Sequence, residues 1–407
     1  MRIAVIGGGW AGIAAAVELT ADSHAVTLFE AGRVLGGRAR GVNMAGRQLD
    51  NGQHILLGAY RDTLELMRRV DAAPEHLFDR QPLQIVDCSG FCLRLPRLAA
   101  PFHVAWGLLT ARGVGLGEKL RTAWWMERVK QHGFRLEIDC TVAQWLDAAG
   151  QTGMLRRHLW EPLCLAALNT PAEQASAQLF ANVLRDSLGS PRREDTDLLL
   201  PRVDLGQLLP VPAGKWLQDQ GAVLRLGHRV KHITAGNEGI AIDSERFDAA
   251  VIATAPQHVA DLWPDAASDF RFEPIATVYL QFREKTAPLP FPLLNLLGKH
   301  GQWVVDRGQG LLACVLSGHG DWEALPDEEL AAVLRDELGM DEPPAWQRVI
   351  REKRATFSAR PAMQRPDFRT SHPRIVLAGD YTWADYPATL EGAVRSGFRA
   401  ARWLTSH

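Results

Sequence analysis

The sequence is poor in several features that would each mark a class of protein. Its 407 residues hold five cysteines (Cys88, Cys92, Cys140, Cys164 and Cys314), an odd and scattered set. That set excludes a disulfide-framed scaffold and implies a reducing compartment. Cys88 and Cys92 have no second pair at zinc spacing, so they read as strand thiols and no metal is expected. Neither charge is in excess: 45 basic and 47 acidic residues leave a net −2, which offers nothing to nucleic acid. No apolar run reaches the roughly 18 residues of a membrane span. Only Arg2 precedes the first apolar stretch, which breaks at once into glycines, so no signal peptide is expected. These absences predict a cytoplasmic protein, or one resting on a membrane face without crossing it. Internal repeats and low-complexity tracts are lacking as well.

What is present is glycine in a telling order. "RIAVIG" is a short, β-branched run of the kind that forms a buried parallel strand. Gly7, Gly9 and Gly12 follow at G-x-G-x-x-G spacing, with Ala11 inside the same turn, and "WAGIAAAVELTA" has helix-forming composition. "HAVTLFE" reads as a second strand, ending at Glu30 and Ala31. Gly7 makes the tight turn, Gly9 admits a pyrophosphate to the backbone, and Gly12 lets helix and strand approach. The helix N-terminus then offers free N–H groups to the phosphates. Glu30 can accept hydrogen bonds from a ribose and would repel a 2′-phosphate. Just beyond, "LGGRARG" places Gly36, Gly37 and Arg38 where two glycines admit a phosphate and the guanidinium can pair with it bidentately.

More than three hundred residues later the pattern returns. "RIVLAGDY" is an apolar strand ending in Gly379 and Asp380, and "TLEGAVRSGFRAARWL" is a helix opening on Glu391, Gly392 and Ala393. Ser396 and Gly397 leave it small enough to pack closely. A ligand held from both ends of the chain is longer than the adenylate half of NAD.

Together with "LDNGQHILLGAY", "LWEPLCLAALNTP", "QWVVDR" and "EKRATF", these segments resemble the squalene-associated, FAD-dependent branch of the carotenoid desaturase family, within the amine oxidase superfamily of flavoproteins. The resemblance runs over nearly the whole chain. It implies an α/β fold: a Rossmann-like FAD-binding domain of the two-dinucleotide-binding-domain type with an inserted α+β substrate domain. The FAD domain would comprise 1–75, 205–262 and 355–407, and the substrate domain 76–204 and 263–354. The resemblance places the late Gly379-Asp380 and its helix at the ribityl and flavin end. It sets Val230, in the returning strands of 221–256, beside the adenine. It also passes Gln53 and His54 beside the flavin ring.

The activity so implied is reductive removal of an allylic hydroxyl from hydroxysqualene, giving squalene. The leaving hydroxyl needs a proton. His54 and Asp50 are the first candidates to supply it, and Tyr60 is the next. An external reductant is required that the sequence does not name. A desaturase of the phytoene type, an amine oxidase and a prenyl-binding escort protein on the same fold are the competing readings. Thirteen tryptophans against four tyrosines suit an apolar tunnel or a lipid interface. Residues 97–112, apolar and flanked by arginines, suit either a bilayer surface or a buried helix. The stripe Leu120, Trp124, Trp125 and Met126 reads as core.

Overall fold

The computed structural model of the chain describes residues 1–44, 46–236, 239–266, 268–283, 289, 291–297 and 299–406. Its first layer is a five-stranded parallel sheet in the order Val223–Leu226, Ala25–Glu30, Arg2–Ile6, Ala249–Ile252, Ile375–Leu377. Val5 stands between Leu28 on one neighbour and Val251 on the other. Strands buried on both faces need continuous apolar sequence, and Ile3, Val5, Leu28, Val251 and Val376 are almost wholly enclosed.

Helix Trp10–Ala21 rises from the first strand and packs against helix Leu390–Ser406. Glycine sets their separation: a Cβ on Gly397 would lie 2.2 Å from the Ala11 carbonyl oxygen. The first and last segments of the chain are therefore neighbours in both sheet and helix layers.

The segment 221–256 is more broken than its three apolar runs suggest. Val223–Leu226 joins the parallel sheet, and the chain turns away at Gly227, whose φ of +71° favours glycine. Ile233–Gly236, Gly239–Ile242 and Glu245–Phe247 form an antiparallel meander, and Ala249–Ile252 re-enters the parallel sheet.

A second, antiparallel sheet has the order Leu293–Asn295, Trp303–Asp306, Leu311–Ser317, Phe272–Gln281, Trp346–Phe357. Helices between Phe102 and Asp186 cover its flank, around a core that includes Trp125, Trp160, Phe180 and Tyr279. The sequence-based stripe divides here. Trp125 is buried edge-on against Trp145 and Trp160, whereas Leu120 and Trp124 are 60% and 63% exposed. The helix Leu116–Gln131 thus turns part of its expected core face outward.

All five cysteines are free thiols, and no cluster of metal-binding side chains occurs among the described residues. Among those residues no helix is long and apolar enough to cross a membrane.

Candidate functional site

A cavity of about 800 Å³ joins the two sheets. One end is walled by Gly7, Gly9, Ala11, Glu30, Ala31 and Val230, with Gly36 and Gly37 packed on Gly9, and Arg38, Gly379, Asp380 and Ala393 line the cavity as well. The far end is apolar, with Leu163, Ala166, Val183, Leu293 and Val305. Gln53, His54 and Tyr60 lie along it as well.

The glycine turn is built as its spacing predicts. Gly7 has φ +110°, and a Cβ there would strike the Ala253 carbonyl at 2.5 Å. Gly12 stands outside the cavity wall, and its Cβ would lie 1.9 Å from the Gly7 carbonyl oxygen. It serves the strand–helix contact alone. Gly9, the residue before helix Trp10–Ala21, has open space where a Cβ would point, with no atom within 4 Å. Glu30 accepts N–H bonds from Gly8 (2.7 Å) and Gly32 (2.6 Å). Each of its oxygens keeps a lone pair for a hydroxyl.

Arg38 lines the cavity and also spans its two clamps. Its Nη2 donates to Asp380 Oδ2 at 2.7 Å and its Nη1 to the Ala355 carbonyl at 2.7 Å. One N–H of each terminal nitrogen is engaged, so the guanidinium clasps the two clamps together while three of its five N–H groups are left for a ligand.

Three expectations from sequence are corrected. Glu391 and Gly392 do not line the cavity. The Glu391 carboxylate, fully buried, accepts from the Asp62 and Thr63 N–H groups, the Thr63 hydroxyl and Arg395 Nε. It caps helix Arg61–Arg69 from a distance of more than three hundred residues. Gly392 packs against Thr389 and Tyr386, where a Cβ would be tight. Asp50 is also off the wall: its Oδ1 accepts from Leu205 N at 2.6 Å, and its Oδ2 pairs with Arg307 Nη1 at 3.1 Å. The same Arg307 nitrogen donates to Gln53 Oε1 at 2.9 Å, so Asp50 steadies the 50–54 turn from behind.

Burial, opposed by Arg307, lifts the Asp50 carboxyl to about 6. The folded state therefore binds this proton more tightly than the unfolded chain does. The stability so gained is complete below pH 3.8 and is lost as pH rises through about 6. Asp50→Asn is expected to remove that part of the pH dependence of thermal unfolding. Asp50→Ala, which strands Leu205 N–H and Arg307, is expected to cost about 3 kcal/mol. Turnover per flavin-loaded molecule should change little in either variant; a thousandfold loss would restore Asp50 as a catalytic acid.

His54 donates from Nδ1 to the Gly52 carbonyl at 2.7 Å, since a carbonyl can only accept. Burial, with Arg38 nearby, holds the ring below the usual histidine range, so the neutral form presents Nε2 as an acceptor. Burial, reinforced by Glu391, pushes the Tyr60 phenol above its ordinary value and keeps its proton in place.

The wall contains two side chains that sequence reasoning missed. Tyr386 donates its hydroxyl to Asp186, and Arg185 Nε holds the same carboxylate at 2.6 Å. Burial alone would raise Asp186, but these hydrogen bonds bring it below the usual carboxylate range. The pair joins segments two hundred residues apart, which no local spacing could signal.

The cavity fits a flavin dinucleotide. Beside the turn at Gly7, Thr254 Oγ1 is enclosed in the wall with no partner among the described residues. Val230 is buried, with no hydrogen bond from its main chain among them.

The sequence matches the family of flavin containing amine oxidoreductases over residues 10–404. The chain belongs to that family. This flavin-containing amine oxidoreductase is an enzyme whose cofactor, given a dinucleotide clamp at each end of the chain, is FAD. It is similar to hydroxysqualene dehydroxylase of Sinorhizobium fredii, at 29% identity over 98% of this chain and 97% of that protein. It is also similar to a probable zeta-carotene desaturase of Synechococcus elongatus, at 25% identity over 99% of this chain and 98% of the other. An oxidoreductase from Methanosarcina mazei shares the fold, with a TM-score of 0.74 at 14% identity, covering 99% of this chain and 100% of that one.

Proposed function

We propose that this flavoenzyme removes the allylic hydroxyl of hydroxysqualene to give squalene and water, with reduced FAD as the hydride source. The observation that carries the reading is one continuous cavity with a dinucleotide clamp at one end and an aliphatic wall at the other. Its likeness in sequence to hydroxysqualene dehydroxylase over nearly the full length of both chains supports it.

The residues assign themselves by position along the cavity. Gly7, Gly9 and the N-terminus of helix Trp10–Ala21 would hold the pyrophosphate, Glu30 the adenosine ribose, and the Val230 main chain the adenine. Gly36 and Gly37, which pack on Gly9, would join it at the pyrophosphate, and Gly379, Asp380 and Ala393 would flank the ribityl and ring end. Bound there, reduced FAD would supply a hydride. Leu163, Ala166, Val183, Leu293 and Val305 exclude water from a hydrocarbon chain and from the delocalised cation that loss of hydroxide leaves. The departing hydroxyl needs a proton, and His54 Nε2 and the Tyr60 hydroxyl are the groups we assign to that role.

His54 gives the proposal a pH signature. Only its protonated form can donate from Nε2, and its titration lies below 6.5. Dehydroxylation is therefore expected to speed up as pH falls through that depressed value, and His54→Phe to flatten the profile.

Neutral His54 also favours a second reading, since an acceptor suits removal of a proton during desaturation, as in the zeta-carotene desaturase relative. That reaction would speed up as pH rises through the same value. Product analysis decides between them. Protein reduced under nitrogen and given hydroxysqualene should yield squalene; oxidised protein given squalene or phytoene in air should add no double bonds. The reverse pattern would establish the desaturase.

A further inference from the structure

Two helices carry apolar stripes on their outer side. On Phe102–Thr110, Phe102, Trp106 and Leu109 recur at i, i+4 and i+7 and are each more than half exposed. On Leu116–Gln131, Leu116, Leu120 and Trp124 recur at i, i+4 and i+8 and are about 60% exposed. Such a stripe ordinarily faces a core. Here the core-facing positions are others, His103 and Gly107 on the first helix and Thr122, Trp125 and Val129 on the second. Lys119 Nζ donates to the Leu109 carbonyl at 2.7 Å and ties the pair together.

Charge is segregated onto the same segment. Residues 94–135 hold eight Arg or Lys and two Glu, a net +6 in a chain of net −2. One of the two acids, Glu118, turns inward and accepts the Leu155 N–H at 2.6 Å. Arg97, Arg112, Arg121, Arg128 and Lys130 are exposed, and the Arg128 guanidinium lies 4.8 Å from the Trp124 ring. Large apolar side chains set among cations match a bilayer whose headgroups are anionic.

We propose that these two helices dock the enzyme on an anionic lipid surface, with Trp106 and Trp124 seated at the headgroup level. The site lies close behind them. Helix Phe102–Thr110 rests on the hairpin of strands Gln84–Val86 and Cys92–Arg94, near enough that a Cβ on Gly107 would meet Leu95 at 2.4 Å. Leu83, Gln84 and Ile85 of that hairpin line the cavity. A hydrocarbon leaving the bilayer beneath this surface has one sheet layer to pass. The surface goes beyond the proposed reaction and stands independently of it.

Vesicle flotation of the flavin-loaded protein tests it without substrate. The protein is expected to float with phosphatidylcholine–phosphatidylglycerol vesicles, to be released by raised salt, and to bind pure phosphatidylcholine at least tenfold more weakly. Trp106→Ser with Trp124→Ser should reduce flotation at least tenfold while leaving the thermal midpoint and the flavin content unchanged. Equal flotation of that double variant would overturn the proposal. So would a wild-type protein that stays off anionic vesicles at low salt. A dimer that the same substitutions dissociate would make the face a self-interface and overturn it as well.

Discussion

A Gly9→Val chain is expected to fold normally and to purify colourless. The residue has φ −73° and ψ 177°, extended backbone that valine adopts without strain. No protein atom lies within 4 Å of the position a Cβ would take, so the fold has nothing to lose. The proposed pyrophosphate has that space to lose. We expect FAD affinity to fall at least a hundredfold, about 2.7 kcal/mol or more, with circular dichroism unchanged and the thermal midpoint equal to that of wild-type protein stripped of flavin. Gly12→Val is the control with the opposite signature. Its Cβ would stand 1.9 Å from the Gly7 carbonyl oxygen, a backbone atom that cannot swing aside, and that chain should fail to fold. A yellow, fully loaded Gly9→Val protein would remove the pyrophosphate from this turn.

Glu391→Ala should lower stability strongly in a chain that still folds. The side chain is wholly enclosed and meets four donors, two of them the leading N–H groups of helix Arg61–Arg69. Alanine leaves the two N–H groups and the Thr63 hydroxyl unsatisfied in the interior, and leaves Arg395 only Asp62 as an ion-pair partner. Removing one partner of a buried ionic network costs about 3–5 kcal/mol, and the loss should appear in denaturant unfolding. Glu391→Gln keeps an acceptor and should lose less than half as much. Tyr60 precedes the capped helix, so the alanine variant should also blur the cavity wall it belongs to. If alanine and glutamine cost the same small amount, Glu391 is not the cap, and its place near the cofactor reopens.

These two residues show what the sequence makes legible and what it hides. Gly7, Gly9 and Gly12 serve backbone geometry at fixed local spacing, so the pattern can be read in a line of text. The same holds for Gly379 and Asp380 at the end of an apolar strand. Glu391 sits beside them in sequence and looks like part of the clamp, yet its partners are Asp62 and Thr63, which only the packed helices bring near. Asp50 misleads in the same way: beside Gly52 and His54 it suggests an acid, but Leu205 and Arg307 claim its carboxylate. Arg38 was legible as a ligand-facing cation; its clasp on Asp380 joins residues 342 apart, and no spacing rule covers that. Asp186 and Tyr386 were invisible for the same reason. The outward stripe of Leu116, Leu120 and Trp124 has the period of a core helix, and periodicity cannot tell a core-facing stripe from an exposed one.

The central claim is that hydride passes from reduced flavin to the allylic carbon of hydroxysqualene within this cavity. Transferable hydrogen on reduced flavin exchanges with solvent, so a single anaerobic turnover in D₂O reports on it directly. The proposed reaction should give one squalene per bound flavin, carrying a single deuterium on the carbon that bore the hydroxyl. Squalene without deuterium at that carbon, or flavin that stays reduced in the presence of substrate, would contradict it.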